Sequence, residues 1–403
     1  MSALDSTLRL ELDEMERAGT LKRIPVLGSP QGPLVEIVGR GEVLCLCSND
    51  YLGLANHPAV VEAGVEALGS YGAGTASVRF ICGKFEPQVA LERDLADFLR
   101  TEAALTYLSC WNANAALLDA LCDQRTAVLS DRLNHASIID GMRLARPGHK
   151  AVYEHGDVAS LRRALAEAPA LDRLLIVTDG VFSMEGDLAP LPALAEVAAE
   201  HGATLIVDDS HGIGVVGDGG RGVLERFGLL GAEDVIVTGT LGKALGGAAG
   251  GFVAGSAALC DVLEQRSRPQ LFSNGIAPTV AASSRRALAE LRDDPGLVAR
   301  LHANTRLMRE RLSESGLKPL EGESAIVPII VGETSVAIEA SRRLLERGVY
   351  VTGFGYPVVP EGTARVRIQV SAALTAAQIA TAVEALAEVV GALTSPRPPA
   401  PDS

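Results

Sequence analysis

Short apolar runs, separated by segments of helix length, recur through the middle of the chain. They are rich in Val, Ile, Leu and Ala and end at Gly or polar residues, which is typical of buried β-strands. The runs that we expect to be strands are 103–108, 127–130, 173–178, 203–208, 234–238 and 250–254. Strands that alternate with helices in this way are joined by parallel crossovers. The pattern therefore predicts an α/β fold around a doubly wound, mostly parallel sheet.

The two ends of the chain show other patterns. Charged residues at helical spacing predict a helical arm to about Arg23, and a short strand region follows to Cys47. From about Pro278 a long amphipathic helical stretch leads to a smaller α+β region with strands near 326–331 and 365–368. We therefore expect an N-terminal arm (1–48), a large domain (49–280), a small C-terminal domain (281–393) and a Pro-rich disordered tail (394–403).

Composition excludes several classes of protein. The formal net charge of -14 argues against nucleic acid as a partner. No run reaches the ~18 uncharged apolar residues of a membrane span. Residues 1–23 lack the apolar segment of a signal peptide, so we expect a cytoplasmic protein. The six cysteines include one Cys-x-Cys pair without a second pair, so we expect no metal site.

Lys243 is the first candidate for chemistry. It lies among glycines in a segment that follows the apolar run at 234–238. A lysine amine is a good nucleophile only where desolvation or nearby positive charge lowers its pKa. In such a setting it could form a Schiff base with the aldehyde of a cofactor. Taken alone, the pattern equally fits a solvated lysine in a Gly-x-Lys turn.

Asp208 and His211 follow another apolar run, at the strand end where open α/β sheets place ligands. A carboxylate at the end of a buried strand needs a cationic or hydrogen-bonding partner, and a protonated pyridine nitrogen would serve. The alternative for this acidic segment is a helix N-cap.

Two further segments suit the same cofactor. Ser109, Cys110 and Trp111 open an apolar-periodic helix that runs towards Leu121. A helix N-terminus favours a phosphate monoester, although a plain Ser N-cap would give the same pattern. His135 precedes another apolar stretch and could stack on an aromatic cofactor, whereas alone it would fit a surface or core histidine.

Longer segments of the chain, in the same order, resemble fold-type I pyridoxal-phosphate enzymes. More narrowly, they resemble the α-oxoamine synthase family, which joins an amino acid to an acyl-CoA thioester, and within it the glycine C-acetyltransferase (2-amino-3-ketobutyrate CoA ligase) branch. The resemblance runs from about Leu10 to Leu393. The segments that carry it are 48–58, 76–83, 134–141, 178–184, 266–274 and 350–360.

The resemblance implies a role for each matching residue. Lys243 would form the Schiff base with pyridoxal 5'-phosphate and later move the Cα proton, Asp208 would pair with the pyridine nitrogen, and His135 would stack on the ring. The other implied cofactor contacts are Ser183 and His211 at the phenolic oxygen, and Ser109, Cys110, Trp111, Thr240 and Ser273 at the phosphate. Since Ser273 would reach over from a second subunit, the resemblance implies a homodimer.

The amino-acid substrate would be bound through Arg367, with Asn49 nearby, because a guanidinium binds a carboxylate in a bidentate manner. Ordinary alternatives exist for these residues. Arg367 fits a solvated edge-strand charge, and Asn49 fits a turn residue. Ser183 fits a loop serine that bonds its own backbone, and Thr240 and Ser273 fit hydroxyl caps.

The implied reaction condenses glycine with an acyl-CoA, and it is reversible as 2-amino-3-oxobutanoate cleavage with coenzyme A. Lys84 and Gln88 stand where the branch carries other residues, Gln88 in place of a histidine, and Leu374 replaces a second histidine. We treat Lys84 and Gln88 as candidate residues for acyl binding. A longer acyl-CoA or a carrier-bound acyl group therefore stays open, as do an aminotransferase and a noncatalytic partner subunit.

Overall fold

The computed structural model describes residues 2–21 and 23–394, which form two compact units. The large unit consists of Asn49–His302 with Gly322–Ser324. The small unit contains the chain up to Ser48, Ala303–Glu321 and the chain from Ala325. The disordered tail expected at 394–403 lies, apart from its first residue, outside the described residues.

The strands are short and belong to three sheets. Their bounds are β1 (Leu34–Ile37), β2 (Gly41–Cys45), β3 (Ala103–Tyr107), β4 (Thr126–Asp131), β5 (His149–Tyr153), β6 (Arg173–Asp179), β7 (Thr204–Asp208), β8 (Val235–Thr240), β9 (Gly251–Gly255), β10 (Ile326–Gly332), β11 (Val349–Tyr350), β12 (Thr352–Phe354) and β13 (Ala364–Gln369).

The helices connect and cover these strands. Their bounds are α1 (Ala3–Arg17), α2 (Pro58–Tyr71), α3 (Arg79–Cys82), α4 (Glu86–Leu99), α5 (Cys110–Leu121), α6 (Ala136–Ala145), α7 (Val158–Glu167), α8 (Leu191–His201), α9 (Val223–Arg226), α10 (Ala257–Arg266), α11 (Arg268–Phe272), α12 (Pro278–Asp293), α13 (Gly296–Glu314), α14 (Thr334–Glu346) and α15 (Ala376–Thr394).

A seven-stranded sheet in the order β3-β9-β8-β7-β6-β4-β5 forms the centre of the large unit. The pairs between β5, β4, β6, β7 and β8 are parallel, which confirms the mostly parallel α/β fold. The expectation of parallel crossovers is wrong for β9, which is antiparallel to both β8 and β3. Its connection from β8, residues 241–250, contains no helix and is too short for the crossover that a parallel pair needs.

One face of this sheet packs under α5, α6 and α10. Alternate strand residues such as Leu175 and Val177 point into that layer and belong to the same buried cluster as Leu117 and Leu118 of α5. Both of these leucines are fully buried, and burying such a side chain contributes about 1.5–3 kcal/mol. At Gly141 of α6 a Cβ would lie 2.9 Å from Leu118, so the glycine lets the two helices approach. This layer fixes the start of α5 beside the sheet.

The edge strand β5 was not expected from the sequence. Half-buried and exposed side chains alternate along it: His149 and Ala151 are half-buried, whereas Lys150 and Val152 are exposed. Tyr153, at the end of the strand, is buried. Only one face of this strand is covered, so its pattern lacks the continuous apolar run by which the central strands are found.

Two three-stranded sheets belong to the small unit, in the orders β1-β2-β11 and β10-β13-β12. The unit boundaries differ from the expected domains. The helical arm ends at Arg17, and the strands that follow it belong with the C-terminal part of the chain, because β2 pairs with β11. The boundary expected at 280/281 lies at 302/303 instead, because α12 packs against α2 and α4 of the large unit.

The last described helix, α15, is long and apolar enough by length and composition to cross a bilayer. It carries Glu384 and Glu388, and its apolar face is buried within the small unit, where it packs against α14. The buried residues on that face are Ile379, Ala382, Val383, Leu386, Val389 and Val390. This is the arrangement of an amphipathic core helix.

Candidate active site

The carboxyl ends of three neighbouring parallel strands place their last residues side by side. Asp179 of β6 is in register with Asp208 of β7, which is in register with Thr238 of β8. Both aspartates are buried. Burial and, next, the charge of Asp208 raise the pKa of Asp179 well above its usual range. Polar groups therefore concentrate at the edge of the sheet where α/β proteins bind ligands.

Asp208 is held in place by groups from α5 and from its own loop. Asn114 donates from Nδ2 to Asp208 Oδ2 at 2.6 Å, and the Ser210 amide donates to Oδ1 at 3.1 Å. The Asn114 Oδ1 atom in turn accepts from the Thr238 hydroxyl at 2.7 Å. Asn114 was not singled out from the sequence. The available signal was a polar residue four positions after Cys110, on the buried face of an apolar helix.

The N-terminus of α5 lies beside this carboxylate. Ser109 is its N-cap, since the hydroxyl accepts from the Asn112 amide at 3.2 Å. The Cys110 Sγ atom lies 3.8 Å from both carboxylate oxygens of Asp208. The amides of Cys110 and Trp111 occupy the first helical positions, where no acceptor is available within the helix itself. The Ser N-cap alternative is thus realised, and it leaves these amides available to an anion.

His135 is the N-cap of α6, and its ring lies edge-on to that of Trp111, with the centroids 5.8 Å apart. Its Nδ1 atom is 2.7 Å from the Ser137 hydroxyl, and its amide donates to Asp179 Oδ1 at 3.2 Å. The surrounding protein lowers the pKa of His135 by desolvation, Asp208 raises it, and Lys243 lowers it further. The imidazole is therefore favoured in its neutral form.

Lys243 lies in the loop that joins β8 to β9 and is half-buried. Its carbonyl accepts from the Gly247 amide at 2.9 Å, and Gly246 and Gly247 adopt positive φ angles of 90° and 67° that suit glycine. The charge of Lys243 acts on both Cys110 and His135, as does that of Asp208. The ammonium and the carboxylate thus belong to one site.

His211 is buried, and its Nδ1 atom lies 2.8 Å from the hydroxyl of Tyr51. The two rings meet edge-on at 6.1 Å. Tyr51 is fully buried and was not singled out from the sequence, although it lies in the segment 48–58 that carries the resemblance. The pair joins the loop after β7 to the segment that precedes α2.

The remaining candidate cofactor residues occupy loops of the large unit. Ser183 is half-buried in the loop after β6. Thr240 bonds within its own turn, donating to the Gly250 carbonyl at 3.1 Å and accepting from the Gly242 amide at 3.1 Å, as the hydroxyl-cap alternative describes. Ser273 lines a small pocket together with Leu108 and Asn112 of the same chain. In the described ranges, no three His, Cys, Asp or Glu side chains are placed to hold a metal ion.

With this geometry in place, comparison with known proteins decides the family. The family model described as aminotransferase class I and II matches residues 41–386. The chain belongs to this family.

Individual relatives narrow the likeness within the aminotransferase class I and II family. The 2-amino-3-ketobutyrate coenzyme A ligase of Salmonella typhimurium is 44% identical over 381 residues, 94% of this chain and 95% of that protein. The 8-amino-7-oxononanoate synthase of Thermoanaerobacter pseudethanolicus is 42% identical over 383 residues, 95% and 96% of the two chains. A solved variant of serine palmitoyltransferase from S. paucimobilis, with a bound PLP–myriocin aldimine, has a TM-score of 0.90 at 30% identity and covers 98% of this chain and 99% of that one. These likenesses confirm the resemblance stated from the sequence.

Of the two candidates for acyl binding, Lys84 is held in ion pairs and Gln88 is buried. The Lys84 ammonium is paired with Glu264 and lies 3.5 Å from Glu92. Gln88 is fully buried, and its Nε2 atom has no hydrogen-bond partner. A Cβ at Gly275 would lie 2.5 Å from that Nε2 atom, so Gln88 packs under the segment that carries Ser273. A role for either residue in substrate binding stays a prediction.

Arg367 belongs to the small unit, in the central strand of the sheet β10-β13-β12. Both Arg365 and Arg367 are buried, so the solvated edge-strand alternative is wrong. The Arg367 guanidinium lies over the ring of Phe354, 4.5 Å from its centroid. Asn49 opens the large unit in a turn, where its carbonyl accepts from the Tyr51 amide at 2.9 Å.

Proposed function

We propose that this protein is a pyridoxal-phosphate-dependent acyltransferase that condenses glycine with an acyl-CoA to give an α-amino-β-keto acid. The observation that carries the proposal is that the buried Asp208 carboxylate lies beside the N-terminus of α5, where the charges of Asp208 and Lys243 both act on His135. A lysine amine, a buried carboxylate and an imidazole at one strand edge suit a pyridine aldehyde. The 2-amino-3-ketobutyrate coenzyme A ligase relatives support glycine and acetyl-CoA as the substrates.

The chemistry of the donor set fits this cofactor. The first-turn amides of α5 suit a phosphate, and a Cβ at Gly251 would lie 2.3 Å from the Cys110 nitrogen, so β9 approaches this helix start as closely as the backbone allows. Asp208 is a fixed, buried acceptor that suits a protonated ring nitrogen. When bound, pyridoxal phosphate supplies an aldehyde that condenses with amines and a ring that accepts the electrons released when a Cα proton departs.

Each residue of the site has a proposed role that follows from its chemistry. The Lys243 amine would hold the cofactor covalently and would remove or return the proton at Cα of the substrate. The Asp208 carboxylate, oriented by Asn114, keeps the ring nitrogen protonated. The neutral His135 ring would cover one face of the cofactor, and Ser183 and His211 would bind its phenolic oxygen, with His211 oriented by Tyr51. Arg367 and Asn49 are proposed to bind the substrate carboxylate.

A longer acyl chain is the second candidate for the donor. It is favoured by the close likeness to an 8-amino-7-oxononanoate synthase and by the differences at Lys84 and Gln88 from the glycine C-acetyltransferase pattern. The product is either released as the β-keto acid or loses carbon dioxide to give an aminoketone. A carrier protein could present such an acyl group in place of coenzyme A.

We also propose a homodimer in the cytoplasm. Phe80 and Ile81 of α3 and Phe272 of α11 are 63%, 65% and 70% exposed, and the two helices contact one another. Exposed apolar side chains that cluster in this way commonly mark a protein interface. Phe272 precedes Ser273, so the same contact would bring Ser273 to the site of the partner subunit.

The proposal is tested with the purified protein reconstituted with pyridoxal phosphate. Glycine, alanine and serine are each combined with acetyl-CoA and a series of longer acyl-CoA thioesters, while free thiol is followed and the products are identified by mass. We expect thiol release that depends on glycine. The Lys243→Ala variant should lose at least about 100-fold in rate and the visible absorbance of the bound cofactor. Lys318→Ala, at an exposed lysine of the small unit, should retain both.

Other outcomes would overturn the proposal in distinct ways. Amino-group transfer to a keto acid without thiol release would indicate an aminotransferase. A colourless protein that is inactive with every thioester would indicate a noncatalytic subunit. Turnover only with larger amino acids would exclude glycine as the substrate.

A further inference from the structure

His155, which follows β5, lies between two carboxylates. Its Nδ1 atom is 3.1 Å from Asp131 Oδ1, and its Nε2 atom is 3.0 Å from Asp187 Oδ2. The ring also packs edge-on against Phe182, with the centroids 4.3 Å apart. Its side chain is 20% exposed, whereas that of Asp131 is 2% exposed. Neither the imidazole nor its partners was singled out from the sequence.

The geometry requires a doubly protonated ring. An ionised carboxylate only accepts hydrogen bonds, so each ring nitrogen of His155 must donate. Burial alone lowers the pKa of His155, but the hydrogen bonds and charges of Asp131 and Asp187 outweigh it and raise the pKa to about 10. The imidazolium is therefore the form present at neutral pH.

The first carboxylate fixes the loop that carries His135. Asp131 Oδ1 accepts from the Leu133 amide at 2.8 Å, and its backbone carbonyl accepts from the Asn134 amide at 3.3 Å. Its Oδ2 atom accepts from the Gly156 amide at 2.9 Å, next to His155 itself. Asp131 thus joins the end of β4, the start of the His135 loop and the turn after β5.

The second carboxylate belongs to Asp187, whose backbone carbonyl closes the loop that carries Ser183. The Phe182 amide donates to the Asp187 carbonyl at 3.1 Å, and the Gly186 amide donates to the Phe182 carbonyl at 2.8 Å. Val181 and Leu188 form an antiparallel bridge at the base of this loop. The position of Asp187 therefore sets the position of the intervening residues, including Ser183.

We infer that His155 is a positioning residue of the cofactor site, whose imidazolium ties the His135 loop to the Ser183 loop through Asp131 and Asp187. The inference rests on the proposed function, because it takes His135 and Ser183 as contacts of pyridoxal phosphate. His155 acts through the two loops. Without its charge, two carboxylates would face each other across the gap, and the loops would separate.

The test compares His155→Gln and Asp187→Asn with His201→Gln, a control whose ring bonds only to the Val197 carbonyl of its own helix. The apoproteins are titrated with pyridoxal phosphate well below their melting temperatures, and the dissociation constant and the visible circular dichroism of the bound cofactor are measured. We expect His155→Gln to bind pyridoxal phosphate at least roughly 10-fold more weakly and to show altered dichroism. The magnitude is that seen when groups that orient metal ligands are removed. Asp187→Asn should show a smaller change of the same kind, and His201→Gln none.

The outcomes separate the inference from the proposed function. A wild-type protein that binds no pyridoxal phosphate contradicts the proposed function itself. A His155→Gln protein that melts earlier but retains the wild-type dissociation constant and dichroism contradicts the inference alone, since the bridge would then serve stability only. If His155→Gln does not fold, Asp187→Asn decides, and unchanged binding and dichroism in that variant overturn the inference.

Discussion

At the scale of single residues, Asp209 shows how closely the chain encloses a carboxylate beside its candidate site. The side chain is fully buried, and Cβ atoms at Gly212 and Gly222 would lie 1.9 Å and 1.8 Å from its oxygens. Its Oδ2 atom accepts from the Val223 amide at 2.9 Å. Only glycine fits at these two positions, and the enclosure leaves the carboxyl group little contact with water. Burial raises the pKa of Asp209 to about 7.

This pKa predicts a pH-dependent stability. An aspartate in the unfolded chain titrates near ~3.9. Between about pH 4 and pH 7 the folded state therefore keeps a proton that the unfolded state has lost. The free energy of unfolding consequently falls by ~1.4 kcal/mol for each unit by which the pH rises in this range. We expect Asp209→Asn to lack this component. The melting temperature of the variant minus that of the wild type should therefore increase as pH rises from 5 to 8. If this difference is constant over the range, the raised pKa of Asp209 is contradicted.

The sequence identified residues that end apolar runs better than residues whose partners are distant. Asp208 ends the buried strand β7, Lys243 lies in the loop after β8, and the charges of both act on His135. Asn114 was missed because its partner Asp208 is 94 residues away and is met only once α5 is docked on the sheet. For the same reason, the burial of Arg367 was not predictable: an Arg-x-Arg strand looks solvated until its neighbours on both sides are known.

At the scale of elements, β9 and the N-terminus of α5 approach one another closely at the site. A Cβ on Gly251 would lie 2.3 Å from the Cys110 nitrogen and 2.5 Å from its Cα atom, all of them backbone atoms. At the other end of β9, a Cβ on Gly255 would meet side chains, those of Leu259 at 2.9 Å and Ile236 at 3.8 Å. The two glycines of one strand therefore differ in what a methyl group would displace.

We predict that Gly251→Ala pushes the N-terminus of α5 away from the sheet. The expected loss of stability is about 2–3 kcal/mol, because helix backbone cannot yield as a side chain does. The affinity for pyridoxal phosphate should fall as well, since the first-turn amides of α5 move. Gly255→Ala is the matched control and should change both quantities little. Thermal melting and cofactor titration measure them, and equal effects of the two variants would contradict this account.

Element order was more readable from the sequence than strand direction. All six strands expected in the central region exist, within a few residues of their expected bounds. The direction of β9 was missed because its apolar run has the same composition as a parallel strand, and only the absence of a helix in 241–250 reveals the turn. The β5 strand was missed because half of its surface faces solvent.

At the scale of the whole molecule, the surface of the large unit has an apolar region that a soluble monomer would rarely keep. Phe80, Ile81 and Phe272 lie on two helices that touch, and each is more than half exposed. Leu108, which lines a small pocket together with Ser273, is 40% exposed as well. Covering these side chains is the simplest reason for the proposed second copy.

We predict a dimer of about twice 41.9 kDa in sedimentation equilibrium. A charge placed in the apolar region should weaken the association of the two copies. Phe272→Glu should therefore shift the protein towards the monomer and reduce glycine-dependent thiol release. Leu144→Glu is the control, because Leu144 is similarly exposed, at 64%, but lies at the end of α6. A wild-type monomer with full activity would contradict both the dimer and the shared role of Ser273.

The outermost strand of the central sheet has a consequence for solubility. Every strand except the two borders, β3 and β5, is paired on both sides, and a border strand exposes amides and carbonyls that another chain could extend. The exposed side chains of β5 include Lys150. If two copies of the protein paired through their β5 strands, the ammonium groups of the two Lys150 side chains would repel each other. Lys150 thereby disfavours the edge-to-edge pairing that would start a fibre at the unpaired backbone groups of β5.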